Sequence, residues 1–114
     1  MNNDTKKYLL KDYYGEDYNL VPIMTRYTNN GRLAILLYDE EEMYFCDLTV
    51  NLPNSQLSDT KRNDLAFVNV NDNPWLTSFI EKHQLGRPTN HSGRSGYCSY
   101  PEYVFDLTKL NEER

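Results

Sequence analysis

Arg26-Tyr27-Thr28-Asn29-Asn30-Gly31-Arg32-Leu33-Ala34-Ile35-Leu36-Leu37-Tyr38 is the stretch that decides the fold. Asn-Gly between two apolar runs signals a β-hairpin, because a type I′ turn needs positive φ at both central residues. A two-residue loop at Asn30-Gly31 pairs Tyr27 with Ala34 and Thr25 with Leu36. The run Leu33–Tyr38 is apolar at consecutive positions, which predicts a central strand covered on both faces. On the other side of the turn, residues 20–27 form a second strand. Pro22 lacks an N–H and points to an edge position or a bulge there.

Downstream, Asp39-Glu40-Glu41-Glu42 forms a turn. From Met43 to Leu52 the even positions Tyr44, Cys46, Leu48, Val50 and Leu52 are apolar, while Asp47, Thr49 and Asn51 are polar. That alternation predicts one half-buried strand with Cys46 in the core. Pro53 ends it, and residues 54–63 read as a polar loop. Residues 65–70 form a fourth strand, and residues 102–107 a last one. Between them lies a helix over 73–85, with Asn73 as N-cap, Pro74 in the first turn and Gly86 as the stop. Trp75, Leu76, Phe79, Ile80 and His83 fall on one face of it.

The fold class that follows is α+β: an antiparallel sheet of about five strands with one main helix packed on one face. A chain of 114 residues supports one domain over 1–114 and one modest core. The first 18 residues read as a loosely packed N-terminal segment, with residues 8–14 a short strand or a lid. Leu33, Ile35, Leu37, Cys46, Leu48, Val50, Phe67, Trp75, Phe79, Ile80 and Phe105 are the expected core.

The charge layout is uneven. Net charge is −5, which weighs against non-specific duplex binding. Leu33 to Thr60 holds six acids and no Lys or Arg. Lys82 to Pro101 holds three bases and no acid. Such a polarised field steers partners.

Residues 85–101 read as a long polar loop carrying three glycines. It lacks the P-loop pattern and follows a helix instead of preceding one. Arg87, His91 and Arg94 could still contact phosphate there, with Tyr97 and Tyr100 stacking on bases. The bland alternative is an ordered connection in which Gly93 and Gly96 supply unusual φ.

No catalytic residue is assigned. Cys98 with His91 or His83 could form a nucleophile–base pair, but no spacing enforces it. Cys46, Cys98, His83 and His91 lack paired zinc-ligand spacing, so no metal and no cofactor is expected. Residues 1–7 have no apolar core behind them, and no apolar run approaches a membrane span. A cytoplasmic protein with two free thiols and no membrane contact is therefore expected.

Several blocks resemble a family of small uncharacterised proteins from bacterial mobile elements and phages. They are Arg26-Tyr27-x-x-Asn30-Gly31-x-Leu33-Ala34, Leu48-Thr49-Val50-Asn51-Leu52-Pro53, Ala66-Phe67-Val68 and Asn71-x-Asn73-Pro74. Leu85-Gly86-x-Pro88-Thr89, Ser95-Gly96-Tyr97-Cys98-x-Tyr100-Pro101-x-Tyr103 and Phe105-Asp106-Leu107 complete the set. The resemblance covers roughly residues 20–110. Such members often carry Gly-Arg where this chain has Asn90-His91, and Cys-Pro where it has Asn73-Pro74. The resemblance implies a genomic setting, in which small acidic proteins often act as accessory or anti-defence factors. The expected function is therefore non-enzymatic: inhibition of a host nuclease, anti-CRISPR-like or anti-restriction-like. Its acidic surface would be Asp39, Glu40, Glu41, Glu42 and Asp47. The alternative is a nucleic-acid or phosphate-ligand binding module using Arg87, His91, Arg94, Tyr97 and Tyr100.

Overall fold

The computed structural model describes residues 4–113. Among these, the chain runs through β1 (Tyr8–Tyr13), β2 (Glu16–Arg26), β3 (Leu33–Asp39), β4 (Tyr44–Asp47), β5 (Thr49–Val50), β6 (Leu65–Val68), α1 (Leu76–Lys82), β7 (Gly86–Ser95), β8 (Cys98–Phe105) and β9 (Asn111–Glu112). Single 3-10 turns lie at Asn54–Gln56 and Leu107–Lys109. The fold is α+β. β1 to β4 form an antiparallel meander, and β9 adds to β2 in parallel, giving five strands. A second, four-stranded sheet has the order β5-β6-β8-β7 and was not expected from the sequence.

Both sheets and the helix share one core. Leu33, Ile35 and Leu37 of β3 pack with Ala66 and Val68 of β6, Leu76, Phe79 and Ile80 of α1, and Tyr103 and Phe105 of β8. β3 lies between β2 and β4, as its continuous apolar run predicts, but it is not covered equally on both faces: Leu36 and Tyr38 are only half-buried. Phe67 and Leu48 are buried too, whereas Cys46, Val50 and Trp75 are only half-buried, against the expected core. Trp75 lies at the start of the helix, where its ring meets Tyr13, Phe45 and Phe79.

The β2–β3 hairpin forms with another register. Thr25 pairs with Ala34 and Arg26 with Leu33, two residues away from the expected pairing. Tyr27 N–H donates to Arg32 O, and Gly31 N–H to Tyr27 O. Of the two turn residues, Gly31 has positive φ, at 69°, and Asn30 does not. The loop therefore spans four residues instead of closing as a type I′ pair. Pro22 is not at an edge: it is buried opposite Leu37. Along β2 the pairing with β1 ends at Leu20 and that with β9 begins at Ile23, so no ladder partner needs the missing N–H. Asn111 bridges this gap through its side chain, donating to Pro22 O and Lys6 O and accepting from Lys6 N–H.

Residues 43–52 do not form one strand. Tyr38 pairs with Tyr44 but Leu37 with Cys46, so Phe45 is an extra residue in a β-bulge. Phe45 and Cys46 both pack toward the core, while Tyr44 is 59% exposed. The chain then changes sheets at Leu48. Its N–H donates to Ile35 O in the first sheet, and its carbonyl accepts from Asn69 N–H beside the second. Thr49, expected to face solvent, is buried. Its hydroxyl oxygen accepts from Ile35 N–H at 3.1 Å and shares a hydrogen bond with Tyr27 Oη at 2.9 Å.

The helix is shorter than 73–85. Asn73 supplies no side-chain cap, and its backbone carbonyl accepts from Leu76 N–H instead. The stop is at Gln84, at φ 55°, two residues before Gly86. Leu85 N–H reaches Ile80 O and Gln84 N–H reaches Glu81 O, the Schellman pattern with buried Leu85 closing it. Gly86 serves strand approach: a Cβ there would lie 2.7 Å from Val104 O.

The polar stretch 85–101 is a β-hairpin, not a loop. Ser95 pairs with Cys98 around Gly96-Tyr97. Gly96 takes φ 59° and Tyr97 stays negative, which is a type II′ turn. Gly93 has no unusual φ but is needed for space, since a Cβ would lie 2.6 Å from Leu52 Cδ1 and 2.9 Å from Phe67 Cε1. The last strand is accordingly Cys98–Phe105.

Replacing Thr49 by Val leaves the buried Ile35 N–H without an acceptor. We expect a loss of about 1–3 kcal/mol of stability in urea unfolding, whereas Thr49→Ser, which keeps the hydroxyl, retains most of the stability.

Candidate functional site

The acidic tip is built by its own first residue. Asp39 Oδ1 accepts from Glu41 N–H at 2.9 Å and Met43 N–H at 3.0 Å, closing the turn between β3 and β4. Glu42 takes φ 68°. Asp39 is thus committed to the turn, and Glu41 and Glu42 project as exposed carboxylates. Glu40 accepts from Lys7 Nζ at 3.3 Å and Asn19 Nδ2 at 3.2 Å. The Asn19 bond, then the Lys7 bond and charge, hold the Glu40 carboxyl below its ordinary range.

The pairing of Leu20 with Asp39 sets Asp17, Tyr18 and Asn19 beside this tip. Together with Asp39, Glu40 and Glu41 they line a shallow cleft of about 210 Å³. Lys7, Asp17 and Asn19 were missed in the sequence. The signal was present in the hairpin register: a four-residue loop places Leu20, not Pro22, opposite Asp39.

Asp47 lies at the other end of β4, roughly 10 Å along the strand from Tyr44 at ~3.3 Å per residue. It faces the same side as Tyr44, whose hydroxyl donates to Asp47 Oδ1 at 2.9 Å. Partial burial, with the Asp47 bond second, pushes the Tyr44 phenol up to about 12, so it stays a donor. The five expected acids therefore form a tip plus one outlying carboxylate.

The basic residues do not converge. Arg87 sits opposite Val104 and Arg94 opposite Ser99, at the two ends of β7. Seven residues of strand separate them by roughly 20 Å. Arg87 lines a cleft of about 580 Å³ in which Arg62, Arg87 and Lys109 are matched by Asp64, Glu81 and Asp106. That cleft is charge-balanced, and Arg62 forms an ion pair with Asp64 at 2.8 Å. Toward the turn, the Gln56 side chain binds the Arg94 backbone on both sides: Oε1 accepts from its N–H at 2.6 Å and Nε2 donates to its carbonyl at 2.8 Å. His91 Nε2 contacts Gln56 O at 2.5 Å. Tyr97 is fully exposed at the turn, whereas Tyr100 is half-buried beside Cys98.

Glu102 is the residue whose environment the sequence concealed. Between Pro88↔Tyr103 and Ser92↔Pro101, three residues of β7 oppose this one residue of β8. Its side chain is fully buried. Its carboxylate accepts from Ser58 N–H at 2.9 Å, from the Ser58 hydroxyl and from Thr89 Oγ1 at 2.8 Å. It clamps the segment after Leu52 onto the second sheet through Ser58 and Thr89.

The candidate nucleophile–base pairs do not assemble. His91 is turned to Gln56 O. His83 Nε2 contacts Leu9 O at 2.8 Å, with its ring between Tyr8 and Phe79. Both cysteines are free. Among the described residues no group of three or more His, Cys, Asp or Glu is placed to hold a metal ion. None of the described helices is long and apolar enough to cross a membrane.

These features define a small α+β protein whose distinctive surfaces are an acidic turn and a polar edge hairpin. The chain belongs to the family described as a domain of unknown function (DUF4313), whose model matches residues 23–113. No curated protein and no solved structure matches it.

Burial, then the neighbouring Asp47 charge, pushes the Cys46 thiol up to about 12. We expect Cys46 alkylation at pH 8 to be at least ten times slower than in urea-unfolded protein, read by mass spectrometry. A comparable rate in the folded state would place the thiol in a more open and polar setting.

Proposed function

We propose that this protein is a non-enzymatic accessory factor of a mobile element or phage, acting in the cytoplasm by binding a host protein. The most specific form of the reading is an anti-defence inhibitor of a host nuclease, anti-CRISPR-like or anti-restriction-like. The observation that carries it is the acidic tip. Glu40 is fixed as a carboxylate by Lys7 and Asn19, Glu41 and Glu42 are exposed beside it, and Asp17 adds to the same cleft. A rigid turn bearing several carboxylates can replace phosphates in a basic nucleic-acid groove. Such an interface weakens with salt. The net charge of −5 favours encounter with that kind of partner.

A pull-down from host lysate with mass spectrometry identifies the partner without assuming one. Glu40, Glu41 and Glu42 changed together to Lys should abolish binding to the recovered partner while leaving the circular dichroism spectrum and urea midpoint nearly unchanged. Binding that survives the triple reversal rules out the tip as the site.

The second reading is nucleic-acid binding by the β7–β8 hairpin. It is favoured by one observation, the full exposure of Tyr97 at the turn near Arg94. Titration of labelled single-stranded DNA and RNA decides it. Micromolar binding at low salt that weakens in Arg94→Ala supports the hairpin. No binding at low salt removes it, because electrostatic contacts are strongest there.

A further inference from the structure

On the outer face of the first sheet next to the acidic tip, Leu36 and Tyr38 of β3 are only half-buried. The bulge at Phe45 turns Tyr44 outward, beside Tyr38, with ring centroids 5.9 Å apart and planes at 76°. Tyr44 is 59% exposed, and Leu36 is half-buried opposite Asp47. Exposed tyrosine is a residue that protein interfaces favour at their centres. Acids stand at both ends of this strip, Glu41 and Glu42 at the tip and Asp47 beyond Tyr44.

The pair Tyr44–Asp47 has a more specific chemistry. The hydroxyl of Tyr44 is held on Asp47 Oδ1, so the ring is fixed with a carboxylate at its rim. Tyr44 uses one acceptor position of a group that offers about four. An arginine fits both parts. Its planar guanidinium stacks on the ring face while its fork of donors reaches the carboxylate. A lysine ammonium is compact and strongly hydrated, and it gains little from the ring. A second copy of this chain is a poor occupant, because Glu41, Glu42 and Asp47 would face like charges. Nucleic acid and anionic lipid are disfavoured by the same sign.

We propose that Leu36, Tyr38 and Tyr44 form the apolar centre of the acidic surface, and that Tyr44 with Asp47 receives an arginine side chain from a basic protein partner. The proposal rests on the reading of the acidic turn as a protein-binding surface and adds the residue type that it selects.

The test uses fluorescein-labelled nona-arginine and nona-lysine peptides and the full chain, read by fluorescence anisotropy at low and moderate salt. The expected result is that nona-arginine binds about 5–10-fold more tightly than nona-lysine, the range of a partly desolvated cation–π contact. Tyr44→Ala should bring the two affinities together with nona-lysine unchanged. Tyr44→Phe, which keeps the ring, should retain most of the preference and guards against a folding defect in the alanine variant. Equal affinities in the unmodified protein, or a preference that survives Tyr44→Ala, overturn the proposal. If both peptides then still lose binding in the Glu40, Glu41 and Glu42 to Lys variant, the acidic tip stands and the arginine site alone falls. If neither peptide binds at low salt, both fall.

Discussion

The peptide unit at Leu48 is the constraint on which the rest depends. Its N–H belongs to the first sheet, donating to Ile35, and its carbonyl is bound by the amide of Asn69 beside the second. One residue therefore satisfies its backbone in two sheets at once. Because the Leu48 carbonyl turns to Asn69, the amide of Ile35 loses the acceptor that an antiparallel partner would supply. The Thr49 hydroxyl accepts that amide in place of a backbone carbonyl. Buried backbone donors are nearly always paired, so this substitution is what allows the chain to change sheets inside the core. Everything downstream is oriented by it: β6 lies against β5, β8 against β6, and α1 closes the space between the sheets.

What was legible in the sequence is what local chemistry dictates. The apolar run Leu33–Tyr38 could only be a central strand, though its Leu36 and Tyr38 side is only half-buried, and the Leu76, Phe79 and Ile80 stripe could only face a core. What was not legible depends on tertiary pairing. The bulge at Phe45 keeps a plausible alternation in the sequence while reversing which side Tyr44 shows. Thr49 reads as a solvent-facing position until Ile35 and Tyr27 are known to meet it. The hairpin 86–105 was hidden by composition: its first strand is polar because it lies at a sheet edge, with Gln56 standing in for a neighbouring strand. The type II′ turn at Gly96-Tyr97 was a signal available in the sequence, outweighed there by the reading of the polar, glycine-bearing stretch as a long loop.

For the candidate site the balance is similar. The acids of the tip were found as a charge run, but the groups beside them come from β2 and from Lys7, just before β1. Lys7, Asp17 and Asn19 lie before residue 23, where the family match begins. The basic set looked like a cluster because its members are close in sequence. Extended strand geometry spreads them along an edge, so proximity in sequence became distance in space.

The amide side chain of Gln56 imitates a peptide group at the edge of β7, where it takes both backbone positions of Arg94. The other sheet ends at β4, which is four residues long and finishes in an exposed carboxylate at Asp47. Edge strands offer unpaired backbone to any passing chain and are natural starting points for fibrils. In this fold one edge is plugged by a side chain and another is short and charged at its end. Exposed Tyr44 therefore sits on a strand too short and too charged to offer a second copy a long backbone ladder.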